Sequence, residues 1–160
     1  MYTINVSDIC PCSFLQVVVT MWKSPETSVI VEDYCDMAPE TVLPKTILLV
    51  EDHMIFGKIM QRTIESHTPH QVVHLFDGAE LLEKIHEYKP DLLVLDYELP
   101  GRNGIELYDL VHATCGCENI PILIVSAELP QQQMAQRNLN GLSKPWSTSE
   151  LLQMVESAIA

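Results

Sequence analysis

The chain has 160 residues, 47% of them hydrophobic, and a formal net charge of −13 from nine Lys and Arg against 22 Asp and Glu. That length favours one domain with an adequate core, and a surface of that sign repels nucleic-acid phosphates and anionic membrane, so neither is expected as a partner. Five cysteines, at 10, 12, 35, 115 and 117, are an odd number in a chain able to build a core, which points to reduced thiols and a cytoplasmic location.

The most apolar N-terminal stretch, Phe14 to Trp22, is too short to cross a bilayer, and no Lys or Arg precedes it as a secretory signal would need. Residues 1–44 show no sustained hydrophobic period and carry Pro11, Pro25, Pro39 and Pro44 among scattered acids. They read as a mostly disordered leader, with the domain proper at 45–160.

From Thr46 the pattern changes. Thr46–Val50 is a short, continuously apolar run, and Asp91–Asp96 and Ile120–Val125 are two more of the same kind. Such runs suit strands buried on both faces, as in a parallel sheet. Gln71–Phe76 and Gly141–Ser143 read as two further strands. Helical spacing lies between them. Ile55, Ile59 and Ile64 mark one apolar face, Leu81, Leu82 and Ile85 the next, and Ile105, Tyr108 and Val111 a third. A Gln-rich stretch around Leu129–Arg137 is the weakest helix, and Leu151, Leu152, Val155 and Ile159 mark the last. Asp77 with Glu80, and Ser147 with Glu150, have the spacing of capping boxes. Strand and helix thus alternate five times, which predicts an α/β fold with right-handed crossovers and a parallel sheet covered on both faces.

In open α/β sheets ligands bind beyond the carboxyl ends of the strands. Glu51 and Asp52 follow strand one, Asp96 ends strand three, Ser126 follows strand four, and Lys144-Pro145 follows strand five. Three carboxylates, a hydroxyl and a lysine are therefore expected on one edge. Clustered carboxylates repel each other unless a hard cation binds them, and Mg2+ prefers oxygen ligands while leaving room for phosphate. A lysine and a small hydroxyl can hold the remaining phosphoryl oxygens, and a carboxylate can form an acyl phosphate, which makes Asp96 the nucleophile.

Glu51-Asp52, Asp96, Ser126 and Lys144-Pro145, with the stretch from Asp96 to Gly104, resemble the receiver domain of two-component response regulators. The resemblance covers about Lys45 to Ala160 and is specific in combination rather than in any one motif. It implies a flavodoxin-like doubly wound (βα)5 fold with strand order 2-1-3-4-5. It also implies Mg2+ bound by Glu51, Asp52, Asp96 and the backbone carbonyl of Glu98. Asp96 would take phosphate from a sensor histidine kinase or histidine phosphotransfer protein, and Ser126 and Lys144 would contact the phosphoryl group. With Ala160 closing the last helix, a stand-alone receiver that signals by protein–protein contact is expected, catalysing only its own phosphorylation and dephosphorylation.

Two features depart from the family pattern. The family usually carries an aromatic residue three before the lysine, where this chain has Gly141. The interval from Ser126 to Lys144 is about one helical turn short, so helix four is expected to be shortened. Both favour an alternative, a pseudo-receiver that binds a partner without phosphorylation. A magnesium-dependent phosphatase resembling haloacid-dehalogenase enzymes is a poorer match, because those carry an Asp-x-Asp loop after the first strand. Cys10-Pro-Cys12 and Cys115-Gly-Cys117 allow a four-thiolate zinc site in principle, but one pair lies in the leader. Glu98 and Glu128 stand two residues beyond Asp96 and Ser126, where exposed loop acids and modulators of the attacking water are equally good readings. Trp146 reads as a packing residue.

Overall fold

A computed structural model describes residues 43–160, so all but the last two residues of the expected leader lie outside the described part. Ten elements alternate along it: β1 (Thr46–Val50), α1 (Met54–His67), β2 (Gln71–Leu75), α2 (Gly78–Tyr88), β3 (Leu92–Asp96), α3 (Gly104–His112), β4 (Ile122–Ser126), α4 (Gln131–Arg137), β5 (Asn140–Ser143) and α5 (Thr148–Ile159). The strands form one parallel sheet in the order β2-β1-β3-β4-β5, as the doubly wound fold requires.

Successive side chains on a strand point to opposite faces, and here both faces are dry. Leu48, Val50, Leu93, Leu95 and Ile124 enter one core with Leu81, Ile85, Ile105, Leu107 and Met134 from α2, α3 and α4. Ile47, Leu49, Val94, Leu123 and Val125 enter the other with Met60 and Ile64 of α1 and Leu151 and Val155 of α5. This explains why β1, β3 and β4 are continuous apolar runs rather than alternating ones.

The first helix corrects the expected apolar face. Ile55 and Ile59 are exposed, at 63% and 50%, whereas Gly57, Met60 and Ile64 are buried. Apolar residues surround this helix, so periodicity alone selected the wrong stripe. The buried stripe is set by a close approach to β2: a Cβ on Gly57 would lie 2.1 Å from Cε1 of His74. Glycine in a helix interior costs about 1 kcal/mol relative to alanine, and here it makes room for that ring.

Helix starts follow their caps. Ser147 and Glu150 form the expected reciprocal box at α5, and Asn103 and Glu106 form a second at α3. At α2 the expected box is half made: Asp77 accepts from the Glu80 amide at 2.8 Å, but the Glu80 carboxylate accepts from Phe76 N. Strand four begins at Ile122, two residues later than expected, and β5 begins one residue earlier.

Helix α4 is short, as expected, with seven residues ending at Asn138 in the left-handed region at φ 52°. Over Gly141 of β5 the space that a side chain would need is taken. A Cβ there would lie 2.4 Å from Cε of Met134 and 2.9 Å from Cδ2 of Leu129. Trp146 packs against the α1/α5 core, as its reading as a packing residue requires. No described helix is long and apolar enough to cross a membrane.

Candidate functional site

Each strand that carries a candidate residue ends by a backbone hydrogen bond to its neighbour, which aligns their carboxyl ends. Glu51 N donates to Leu75 O at 3.1 Å, Tyr97 N to Val125 O at 2.8 Å, and Lys144 N to Ser126 O at 2.7 Å. The parallel register sets Asp96 beside Val125, and Ser126 beside Ser143. The consequence is the convergence anticipated from the strand ends. Glu51, Asp52 and Asp96 offer carboxylate oxygens that all lie within 4.8 Å of one another.

Lys144 joins this group. Its Nζ lies 2.6 Å from Glu51 Oε2 and 3.1 Å from Asp96 Oδ1. The same ammonium stands 5.5 Å from the centroid of the Phe56 ring, one turn into α1. The Lys144–Pro145 peptide is cis. Glu51 and Asp96 are buried, while Asp52 is exposed and its carboxylate makes no hydrogen bond among the described residues.

Burial pushes the Glu51 carboxyl above the ordinary range, and the Asp96 charge adds to that, while the Lys144 hydrogen bond opposes both. Burial disfavours the Lys144 ammonium, but the hydrogen bond to Glu51 and the charges of Asp96 and Glu51 outweigh it and hold its pKa above the usual value. Three carboxylates and one ammonium leave two negative charges at the strand ends when all are ionised. That balance, an all-oxygen donor set and one open, exposed carboxylate fit a hard divalent cation. They suit zinc less well, because its sites usually include nitrogen or sulfur ligands. Among the described residues this is the one cluster of its kind; Cys117 is buried and Cys115 exposed, and Cys10 and Cys12 lie outside them.

Ser126 is fully buried, and its hydroxyl is engaged locally. Its Oγ donates to Glu128 O at 2.8 Å and accepts from Glu128 N at 3.1 Å. Glu98 follows in the turn after Asp96, with its side chain exposed, as is that of Glu128. Gly104 closes the loop beyond: its N–H donates to Tyr97 O at 3.0 Å, and a Cβ there would lie 2.7 Å from the Asp96 carbonyl oxygen. His53 caps the start of α1 without a side-chain bond and packs on Phe56.

Sequence reading missed three contributors. Phe56 has no motif of its own, and only the turn of α1 brings it over Lys144. The Asn103–Glu106 box that starts the helix behind Asp96 was legible in its spacing. His74, whose Nε2 lies 2.8 Å from Glu51 O, becomes visible only when the β1–β2 register pairs it with Leu49.

Residues 47–156 match the response regulator receiver domain family. The chain is 30% identical over 114 residues to the chemotaxis protein CheY of Pseudomonas aeruginosa, covering 69% of this chain and 92% of that protein. It is 31% identical over 113 residues to the hybrid signal transduction histidine kinase D of Dictyostelium discoideum, covering 68% of this chain but 7% of the kinase. Among solved structures it resembles the phosphorylated cyanobacterial phytochrome response regulator RcpA, with a TM-score of 0.59 and 28% identity, covering 72% of this chain and 91% of that one.

Proposed function

This chain belongs to the response regulator receiver domain family, and from that premise we propose that Asp96 accepts a phosphoryl group from a phosphohistidine of a sensor kinase or phosphotransfer protein. The proposed receiver spans 45–160 and acts through protein–protein contact in the cytoplasm. The observation that carries the reading is Lys144 Nζ, seated between Glu51 Oε2 and Asp96 Oδ1 beside three converging carboxylates.

In this reading an Asp96 carboxylate oxygen attacks phosphorus while the P–N bond to the donor imidazole breaks, and the imidazole leaves with a proton. Lys144 holds Asp96 through one oxygen and leaves the other free to attack. Mg2+ bound by Glu51, Asp52, Asp96 and the Glu98 carbonyl would neutralise the phosphoryl oxygens. The Ser126 hydroxyl exchanges its local Glu128 acceptor for a phosphoryl oxygen, so the β4–α4 loop feels the charge. Met54, Ile55, Phe56 and Ile59 are exposed on α1, whose Phe56 ring lies beside Lys144, and give a donor protein an apolar surface to cover. The phosphorylated state reported for RcpA supports the same chemistry in a relative.

Incubation with Mg2+ and acetyl phosphate tests this. One acyl phosphate per chain is expected by intact mass, and none in Asp96→Asn. A second reading, a binding module independent of phosphorylation, is favoured by Leu129 and Met134 filling the space over Gly141. Failure of incorporation with every donor would select it, and multiple turnover on small phosphoesters would point to a phosphatase instead.

A further inference from the structure

His74 stands on β2, paired in register with Leu49 of β1. Its ring leans on α1 where Gly57 has no side chain; a Cβ at Gly57 would lie 2.1 Å from Cε1 and 2.2 Å from Nε2. The Phe76 ring packs on His74 at a tilt, with centroids 4.5 Å apart. Helix, strand and aromatic neighbour together pack the imidazole.

In that position Nε2 lies 2.8 Å from the backbone oxygen of Glu51. A carbonyl can only accept, so Nε2 carries the proton. Nδ1 is buried and without a protein partner among the described residues. A histidine used only for packing would have no reason to hold that arrangement, because the unpaired nitrogen is a cost that the Glu51 bond must offset.

The bond has a specific position. Glu51 N–H donates to Leu75 O at 3.1 Å, so β2 grips the Glu51 backbone twice, by main chain at its amide and by the His74 ring at its carbonyl. The carbonyl of Glu51 and the amide of Asp52 share one planar peptide, so fixing the first fixes the second. Asp52 needs this more than its neighbours. Glu51 and Asp96 are buried and tied to Lys144, whereas Asp52 is exposed and no hydrogen bond holds its carboxylate among the described residues. Its aim depends on the backbone beneath it.

We propose that His74 is a positioning residue for divalent-cation binding: through its hydrogen bond to the Glu51 carbonyl it sets the peptide that aims the Asp52 carboxylate at the site. The inference rests on the cation reading given above. Residues that orient metal ligands commonly change metal affinity by about 10- to 100-fold when removed.

The test compares wild type, His74→Leu and His74→Gln, the last with a side-chain amide able to donate to the same carbonyl. Mg2+ affinity is read by titration of tryptophan fluorescence, and the backbone order of the Asp52 amide by NMR relaxation without cation. His74→Leu is expected to bind Mg2+ about tenfold or more weakly and to show a looser Asp52 amide, with His74→Gln recovering most of both. Gly57→Ala, which must displace the ring, is expected to copy His74→Leu and carries the test should that variant not fold. Unchanged Mg2+ affinity in His74→Leu, or no recovery in His74→Gln, overturns this proposal alone. A wild-type protein that binds no Mg2+ overturns the cation reading and this proposal with it.

Discussion

Lys144 Nζ and Glu51 Oε2, 93 residues apart in the chain, meet at 2.6 Å and tie the end of β5 to the end of β1 across the intervening strands. The pair is largely buried, and Asp96 sits against the same ammonium. Lys144 is therefore both a structural counter-charge and the cation nearest the proposed phospho-acceptor.

Removing it should separate these roles. Lys144→Met leaves Glu51 and Asp96 close together without an ammonium. Loss of about 1–3 kcal/mol is expected, below the figure for a fully buried pair because Lys144 keeps some exposure. Added Mg2+ should restore part of it, since a divalent cation substitutes for the lost charge. Urea denaturation with and without Mg2+ checks this; equal losses in both would mean that the lysine and the cation do not share the cluster.

Gly104 should resist substitution. A Cβ there meets the Asp96 carbonyl oxygen at 2.7 Å, a backbone atom that cannot swing aside. Gly104→Ala is expected to cost about 1–3 kcal/mol as overpacking does and to slow phosphorylation of Asp96 by acetyl phosphate. A variant as stable and as reactive as wild type would show that the loop has slack.

Gly141 presents the opposite case, because the atoms over it are the ends of flexible side chains, Met134 and Leu129. Gly141→Phe alone should destabilise the fold, and Met134→Ala in the same chain should recover part of that loss. The non-additivity of the two changes measures the contact. Strictly additive effects would show that α4 moves away instead.

Arg137 of α4 grips Asp109 of α3 with two bonds, at 2.8 and 2.7 Å. The Arg137 hydrogen bond holds the Asp109 carboxyl below its ordinary pKa. A depressed folded-state pKa means that the stabilisation is present above the unfolded value, about 4 for aspartate, and lost as pH falls through the folded one. Asp109→Asn should thus lower Tm modestly at neutral pH, and the gap to wild type should close in acid. A gap that persists at low pH would trace to packing rather than charge.

Glu98 and Glu128 flank the proposed acyl phosphate from two loops. If they order or repel the attacking water, Glu98→Gln and Glu128→Gln should change the phosphoryl lifetime several-fold, about 1 kcal/mol of barrier each. Unchanged autodephosphorylation in both would leave them as ordinary loop acids.

The sheet and the residues at its edge are written in the strand pattern. Continuous apolar runs at Thr46–Val50, Asp91–Asp96 and Ile120–Val125 suit strands buried on both faces, and their alternation with helices brings Glu51, Asp52, Asp96, Ser126 and Lys144 to one end. The spacing between Ser126 and Lys144 likewise foretold the short α4. Tertiary structure decided what depends on distance between segments. It buried Gly57 and Met60 with Ile64 on α1 and left Ile55 and Ile59 exposed, because apolar residues lie on more than one face of the first turns and only β2, with His74 against Gly57, breaks the tie. It engaged Ser126 with Glu128, closed the space over Gly141, and set Lys144 between two carboxylates. A strand's hydrophobic pattern records which faces are dry, whereas hydrogen bonds and contacts between side chains far apart in sequence exist only after the chain has folded.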